Sequence, residues 1–274
     1  MKIDLHNHSY YSDGVLSPAE VVCLAKEQGC ELFALTDHDT TDGLLEAQQQ
    51  ADKIGLNLVH GVEISAMWSN MTVHIVGLGV DINNETLQMG LKQHQEFRQL
   101  RAEKMARGLG GAGVFGALEK TQAIAKKSMI TRTHFAQMLV QEGVCKDMKS
   151  VFKRFLTGKK PGGVGGKWAE YDEVISWIHA AGGKAVLAHP LRYRMTNTKV
   201  KRLLNHLSGA GLDGVEVVTG SSSSDEITLV SQWAKEFGLS ASVGSDYHGW
   251  SGQRVRIGHL QDMPSANETV WRDW

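Results

Sequence analysis

Short apolar runs alternate with segments of helical periodicity along most of the chain. The apolar runs lie near residues 2–6, 32–36, 57–62, 72–79, 184–188, 213–218 and 239–244. Continuous apolar character over such short lengths is typical of strands that are buried on both faces. The helical segments lie near residues 18–28, 42–54, 171–181, 197–210 and 225–236. This alternation predicts a parallel α/β sheet, here closed into a barrel.

The strand-helix rhythm breaks between about residues 85 and 165. Four consecutive segments there have helical periodicity, at 86–107, 116–126, 132–142 and 147–157. We interpret this stretch as a helical insertion. The predicted domains are therefore a barrel formed by residues 1–91 and 168–274, and an insertion of residues 92–167. A G-x-G-x-x-G sequence at 108–113 follows a helix and not a strand, so we interpret it as an inter-helix loop and not as a dinucleotide site.

Charge is distributed unevenly between these two parts, although the formal net charge of the chain is only −1. Residues 92–167 contain 16 Lys or Arg and 5 Asp or Glu, whereas the remainder contains 13 basic and 25 acidic residues. The excess of acidic residues outside the insertion is typical of a domain that binds metal ions. The basic insertion fits a segment that faces phosphates or nucleic acid, with a merely solvated basic surface as the alternative.

Histidines and carboxylates recur at the predicted strand ends. His6 and His8 are two residues apart on an extended segment, so both imidazoles point to one face and can reach the same ion. The full set of candidate metal ligands is His6, His8, Asp13, His38, Glu63, His74, His189, Asp246 and His248. Each residue alone fits a structural role, such as a turn or a satisfied core histidine. Together they predict one polynuclear metal site, because barrel strands converge at their carboxyl ends.

The ligand types restrict the metal. Imidazole and carboxylate sets without thiolates suit manganese, zinc or iron. Nine ligands are too many for one ion, and we expect three divalent ions, with manganese first and zinc, iron or magnesium as alternatives. Such clusters supply hydroxide at neutral pH and stabilise the charge of a phosphoryl group under attack.

The order of these motifs resembles the polymerase and histidinol phosphatase (PHP) superfamily. The motifs are His-x-His at 6–8, Ser12-Asp13-Gly14, Thr36-Asp37-His38-Asp39, Gly61-Val62-Glu63-Ile64, His74, Ala188-His189-Pro190 and Ser245-Asp246-Tyr247-His248. The resemblance implies a distorted seven-stranded (β/α) barrel of PHP type with a helical insertion. It also implies a grouping in which His6, His8, Glu63 and Asp246 hold one ion. Glu63 would bridge to a second ion at His74 and His189, and Asp13, His38 and His248 would hold the third.

Within the superfamily the chain resembles bacterial nucleoside-3′,5′-bisphosphate phosphatases and 5′-to-3′ exoribonucleases. That narrower likeness rests on Thr131–Ala136, Phe155–Pro161, Ala188-His189-Pro190 and Trp271–Trp274. It implies substrate contacts from Arg132, Lys160 and His134. The chain departs from the family pattern at Gly162–Gly166, where relatives carry a bulkier stretch.

The chemistry of these three residues suits the contacts that the resemblance implies, and without the resemblance each would be interpreted as a surface residue of a helix. Arg132 can bind a phosphate through two hydrogen bonds, and Lys160 can add a point charge. His134 can donate to the same phosphate or protonate a leaving oxygen, and we count it with Glu63 as catalytic. Asp37 and Asp39 flank His38 and can orient an imidazole, while Asp39 can equally cap the next helix.

The sequence thus predicts a metal-dependent phosphohydrolase that removes the 3′-phosphate of nucleoside 3′,5′-bisphosphates, or degrades short 5′-phosphorylated RNA from its 5′ end. The alternatives are another PHP phosphatase, such as histidinol phosphatase, or a non-catalytic nucleic-acid-binding module. We expect a nucleotide or RNA substrate, no obligate protein partner and no membrane association. Three unspaced cysteines and the absence of a signal-like amino terminus favour the cytoplasm.

Overall fold

Seven strands form one nearly closed barrel. The computed structural model describes residues 1–126, 128–193, 195–250 and 254–274. The strands are β1 (Ile3–Asp4), β2 (Leu32–Leu35), β3 (Asn57–Trp68), β4 (Met71–Leu78), β5 (Lys184–Leu187), β6 (Gly214–Thr219) and β7 (Ser240–Gly244). They follow one another around the sheet in chain order. The amide of Leu5 donates to the carbonyl of Val243 at 3.1 Å, so the end of β1 returns beside β7. The seven-stranded barrel is confirmed.

The sheet is mixed, and the prediction of a parallel sheet is wrong for β4. The strand pairs β1–β2, β2–β3, β5–β6 and β6–β7 are parallel, but β4 runs antiparallel to both β3 and β5. Trp68 pairs with Met71, so the connection is a two-residue turn of Ser69 and Asn70, both with positive φ. Such a turn reverses the chain and suits an antiparallel hairpin, whereas a parallel partner needs a long crossover.

Helices cover the outside of the barrel. They are α1 (Pro18–Glu27), α2 (Leu44–Ile54), α7 (Tyr171–Ala180), α8 (Asn197–Gly209) and α9 (Ser224–Glu236). Ser17 begins α1 as a capping box, because its hydroxyl accepts from the amide of Glu20 and the Glu20 carboxylate accepts from the amide of Ser17. The predicted helices of the barrel are therefore confirmed to within a few residues.

The insertion contains α3 (Glu85–Gly111), α4 (Ala117–Ala125), α5 (Arg132–Gln141) and α6 (Met148–Val151), which continues as a π-helical turn over Phe152–Leu156. Apolar side chains between Ala102 and Leu156 form a cluster of their own. The prediction of a loop at 108–113 is wrong in its first half, because α3 runs to Gly111. A side chain at Gly108 would overlap the carbonyl of Pro161, so glycine lets the helix pack closely on that loop. The domain boundaries at 91/92 and 167/168 stay a prediction.

The interior of the barrel differs at its two ends. Apolar side chains from strands on opposite sides, including Leu32, Val76 and Val186, pack together at one end. The histidines and carboxylates described below occupy the other end. In the part of the chain that the structure describes, no helix has the length and hydropathy needed to cross a bilayer.

Candidate metal centre

The structure brings all nine predicted ligands together at one end of the barrel. His6 and His8 follow β1, and His38 follows β2. His189 follows β5, and Asp246 and His248 follow β7. Glu63 and His74 do not lie at strand ends as predicted, but inside β3 and β4. They reach the same end because β3 continues past the other strands into the hairpin, and the antiparallel β4 returns from it. His74 pairs there with Ser65.

The first group consists of His6, His8, Glu63 and Asp246, all of them buried. Five of the six distances between their facing atoms lie between 3.1 and 3.5 Å: Nε2 of His6 and Nε2 of His8 are 3.1 Å apart, and each lies 3.3 Å from Oε2 of Glu63. Ligands about 2.0–2.1 Å from a tetrahedral ion are about 3.3 Å from each other. The four atoms therefore have the spacing of ligands around one cation.

The Glu63 carboxylate faces two sets of imidazoles with its two oxygens. Besides His6 and His8, Oε2 lies 2.8 Å from Nδ1 of His38. Oε1 lies 2.8 Å from Nδ1 of His74 and 3.0 Å from Nε2 of His189. This arrangement suits a carboxylate that bridges two ions.

The third group surrounds Asp13. Its Oδ1 lies 3.3 Å from Nε2 of His248 and 3.8 Å from Nε2 of His38, and His8 is within reach. The geometry differs from the grouping implied by family resemblance in three respects. His8 is also a member of the Asp13 group, and His189 lies near Glu63 but outside the three groups. His38 lies close enough to Glu63 and His74 to serve their group as well as that of Asp13.

Several buried polar atoms of the centre make no hydrogen bond within the described residues. They are Oδ1 of Asp13, Nδ1 of His38, Oε2 of Glu63 and Nδ1 of His74. Nδ1 of His38 and Oε2 of Glu63 are close, but they do not have hydrogen-bond geometry. Unpaired buried polar atoms are costly, and a bound cation would satisfy these lone pairs at once. The donor set fits divalent metal ions.

Electrostatics prepare the same atoms for cations. Burial opposes ionisation of Glu63, Asp13 and Asp246, yet the surrounding imidazoles hold the pKa of each carboxyl well below its ordinary value. Burial and the neighbouring His248 lower the pKa of His8 to about 3, so its imidazole is neutral, as a metal ligand must be. The neighbouring carboxylates raise the pKa of His38 to about 9 against the effect of burial, and they also raise the pKa of His6 and of His248. The centre therefore presents ionised carboxylates, and a metal ion would displace protons from these three imidazoles.

Two residues that the sequence analysis missed, Glu216 and Arg192, orient the ligands. Glu216, buried in β6, accepts from Nδ1 of His6 at 2.6 Å and from the amide of His189 at 2.6 Å. Arg192 donates to Oδ2 of Asp246 and to Ser221. The sequence contains one sign of this role, because Glu216 is a charged residue between Val215 and Val217 in an otherwise apolar strand. Partners of this kind fix the tautomer and direction of a ligand.

The two aspartates beside His38 have separate roles. Asp37 accepts from the amide and hydroxyl of Ser9 and the hydroxyl of Ser12, which holds the loop that carries Asp13. Asp39 does not cap α2, which begins only at Leu44. Neither carboxylate is hydrogen-bonded to His38 within the described residues.

Asp39 instead ties the barrel to the insertion. Its carboxylate accepts from Nε of Arg98 at 2.7 Å, from the amide of Ser65 at 2.8 Å and from Nδ1 of His94 at 3.1 Å. Arg98 in turn donates to the hydroxyl of Ser65. The pair is buried, and it connects the residue after a predicted metal ligand with α3.

A cavity of about 600 Å³, counted with the space open to solvent, lies between the metal centre and the insertion. The residues around it are Asp13, His38, Ser65, Thr72, His74, Arg98, Arg101, Thr131, Arg132, Thr133, Phe152, Trp168, His248 and Trp250. Metal ligands thus line one side, and three arginines of the insertion line the other.

The three arginines differ in what they can still bind. Arg98 is paired with Asp39, and Arg101 donates twice to the carbonyl of Val164, at 3.1 and 3.0 Å. No hydrogen bond to the Arg132 guanidinium occurs in the described part of the chain, and burial together with the nearby Arg98 lowers its pKa. Arg132 is the cation in this wall that can bind an anion without giving up a partner.

The other predicted substrate residues lie elsewhere. Lys160 is exposed and does not line the cavity. His134 is 5% exposed, and its Nδ1 accepts from the amide of Thr131 at 3.2 Å, which completes the cap of α5. It lines a separate cleft beside the cavity. Direct roles for Lys160 and His134 stay predictions.

Comparisons with known proteins agree with this geometry. The PHP domain family matches residues 4–187. The chain is 43% identical over 272 residues to the 3′,5′-nucleoside bisphosphate phosphatase of Chromobacterium violaceum, covering 99% of this chain and 95% of that protein. It is 40% identical over 273 residues to a 5′-3′ exoribonuclease of Haemophilus influenzae, covering 98% of each. A solved metal-dependent phosphoesterase from Bifidobacterium adolescentis superimposes with a TM-score of 0.84 at 28% identity, covering 95% of this chain and 92% of that one.

Proposed function

This chain belongs to the PHP domain family and is a phosphoesterase, and we propose that it removes the 3′-phosphate of nucleoside 3′,5′-bisphosphates. We extend the proposal to short 5′-phosphorylated RNA, hydrolysed from the 5′ end. The substrate class comes from the names of the relatives in Chromobacterium violaceum and Haemophilus influenzae. The three free cysteines support the predicted cytoplasmic location.

One observation supports the substrate assignment most strongly. The cavity faces the metal ligands on one side and the uncompensated Arg132 on the other. A substrate with two phosphates can place one at the metal centre and the other at Arg132. A monophosphate ester needs only the first position.

The residues of the chain act on this substrate mainly by positioning it. Divalent ions, when bound, lower the pKa of water and stabilise the charge of the phosphoryl oxygens. Glu63 holds two ligand groups at a fixed separation, and Glu216 fixes the imidazole of His6. Arg132 binds the remote phosphate through charge-assisted hydrogen bonds, which orients the bond to be cleaved.

A substrate panel tests the proposal. Phosphate release should be compared for nucleoside 3′,5′-bisphosphates, short 5′-phosphorylated RNA and DNA, and histidinol phosphate, each with Mn²⁺, Mg²⁺ or Zn²⁺. We expect the bisphosphate to be the preferred small substrate. Preference for histidinol phosphate would instead assign the chain to the alternative phosphatase activity.

Metal content is the first quantitative expectation. We propose three divalent ions per chain, manganese first, because eight of the nine predicted ligands form three groups of adjacent atoms and the ninth, His189, lies 3.0 Å from Glu63. Elemental analysis of protein reconstituted with Mn²⁺ and freed of excess metal should give a ratio near three. A ratio of one, with no loss after Asp13→Ala, would contradict a trinuclear centre.

Arg132→Ala should raise KM for a nucleoside bisphosphate roughly ten- to hundredfold. Removing a charge-assisted, two-point contact costs on the order of 1.5–3 kcal/mol. A generic phosphate ester has only the phosphate under attack, so its KM should change much less. Steady-state kinetics with both substrates measures the difference.

Arg107→Ala is the matched control, because Arg107 is exposed on α3 and does not line the cavity. The Arg107→Ala substitution should leave KM unchanged for both the nucleoside bisphosphate and the generic phosphate ester. Equal losses on both substrates after Arg132→Ala would place this guanidinium at the reacting phosphate. An unchanged KM on both would remove the support for a remote phosphate site.

A further inference from the structure

We propose that a cleft beside the metal cavity binds the second nucleotide of a short RNA substrate. This inference rests on the proposed function and concerns its extension to RNA. The cleft, here called the exit cleft, has a volume of about 570 Å³ between the barrel and the insertion, again counted with the space open to solvent. Its lining residues are Tyr10, Gly14, Val15, Ile124, Ala125, Lys126, Ser128, His134 and Gln137.

Consecutive residues of the chain line the exit cleft and the cavity at two places, so the two lie side by side. On the barrel side, Asp13 lines the cavity and the next residue, Gly14, lines the exit cleft. On the insertion side, Thr133 lines the cavity and His134 lines the exit cleft.

The reaction requires an outlet in this region for RNA. Water adds its hydroxyl to phosphorus, and the bond from phosphorus to the 3′-oxygen of the first nucleotide breaks. The proton of the water ends on that 3′-oxygen, and the phosphate stays on the 5′-oxygen of the second nucleotide. The second nucleotide is therefore attached directly to the phosphate at the metal centre. It needs a place next to the metal ligands and outside the cavity that holds the first nucleotide.

Tyr10 gives the exit cleft an aromatic surface. It is 40% exposed and stacks on Tyr11, with ring centroids 5.2 Å apart and ring planes 23° apart. Burial and the nearby Glu46 carboxylate raise the pKa of Tyr10, and the stacked Tyr11 ring restricts the movement of the Tyr10 ring. A pinned, half-exposed aromatic ring is the platform on which single-stranded nucleic acid stacks a base, without preference for sequence.

The charges on the two walls fit one orientation of a nucleotide. Glu46 lies on the Tyr10 side, which disfavours a phosphate there and leaves that wall to the base. Lys126, which follows α4 in the basic insertion, also lines the cleft and can contact the RNA backbone. A nucleoside bisphosphate has no second nucleotide and does not reach the exit cleft.

Tyr10→Ala tests the proposal through a ratio of two activities. We expect the kcat/KM for a 5′-phosphorylated dinucleotide, divided by that for the nucleoside bisphosphate, to fall about tenfold, as loss of a base-stacking side chain predicts. Tyr10→Phe keeps the ring and should retain most of the ratio. Phe115→Ala is the control, because Phe115 is an exposed aromatic of the insertion outside the exit cleft.

The two proposals fail in different ways. If the wild-type chain hydrolyses the bisphosphate but Tyr10→Ala leaves the ratio unchanged, the exit cleft is not the second-nucleotide site and the proposed function stands. An equal fall of both activities, with the ratio constant, also rejects the site and makes Tyr10 a support for the Asp13 loop. If the wild-type chain does not hydrolyse the bisphosphate, the proposed function itself is wrong. Turnover of the bisphosphate by each preparation reports that the variant is folded.

Discussion

Glu63→Gln lowers kcat on the order of a thousandfold and leaves the chain folded. The substitution keeps the size of the side chain but removes the negative charge that faces five imidazoles at 2.8–3.3 Å. Metal ions contribute several kcal/mol to the stabilisation of a phosphoryl transition state, and each 1.4 kcal/mol is about tenfold in rate. Loss of the bridging carboxylate weakens two groups of ligands at once, so we expect this substitution to have the largest effect on activity.

Glu216→Gln is the matched control for Glu63→Gln. Like Glu63, Glu216 is a buried glutamate of a barrel strand. It accepts a hydrogen bond from Nδ1 of His6, however, and it belongs to none of the ligand groups. Substitution of such orienting residues costs about ten- to hundredfold in metal affinity or activity. Steady-state kinetics at saturating Mn²⁺, with circular dichroism as a check of folding, compares the two. Wild-type activity of folded Glu63→Gln would show that Glu63 is not a bridge.

Asp39→Ala destabilises the chain by about 3–5 kcal/mol. The substitution leaves the Arg98 guanidinium buried without its carboxylate, and it removes the acceptor of the Ser65 amide and of His94. Breaking a buried ion pair by removing one partner has a cost of this size, because the other charge stays buried without compensation. Urea denaturation at neutral pH measures the change in the free energy of unfolding.

The double variant Asp39→Ala with Arg98→Met separates this cause from a packing defect. Replacing both partners of a buried pair removes the uncompensated charge, so the double variant should be more stable than Asp39→Ala alone. A loss of less than about 1 kcal/mol in Asp39→Ala would be the value of an exposed pair and would contradict this account. A double variant that is less stable than Asp39→Ala alone would also contradict it.

Local patterns in the sequence were sufficient for most of the barrel and for bringing together the predicted ligands, whose metal-binding role stays a prediction. The apolar runs are short and regularly spaced, so six of the strands and the five outer helices could be placed to within a few residues, whereas β3 extends six residues beyond its predicted end. The direction of β4 could also have been found. Only nine residues separate the predicted strands at 57–62 and 72–79, which is too short for the crossover that a parallel pair needs.

Long-range pairings could not be predicted, because no local pattern encodes them. Asp39 and Arg98 are 59 residues apart in sequence, and the sequence left Asp39 as either an orienting residue or a helix cap. The same limit applies to substrate contacts. Arg132 and Lys160 look alike as basic residues of the insertion, but only Arg132 reaches the cavity wall. The difference depends on how α5 and the loop after the π-helical turn pack, and that is decided by tertiary contacts.

The position of the released phosphate tests the central claim most directly. Adenosine 3′,5′-bisphosphate should be incubated with metal-depleted protein and with the same protein reconstituted with Mn²⁺, and the products should be followed by phosphorus NMR. We predict that only the reconstituted protein acts, and that it yields inorganic phosphate and adenosine 5′-monophosphate. Release by the metal-depleted protein, a 3′-monophosphate product, or no release with Mn²⁺, Mg²⁺ or Zn²⁺ would contradict a metal-dependent 3′-phosphatase.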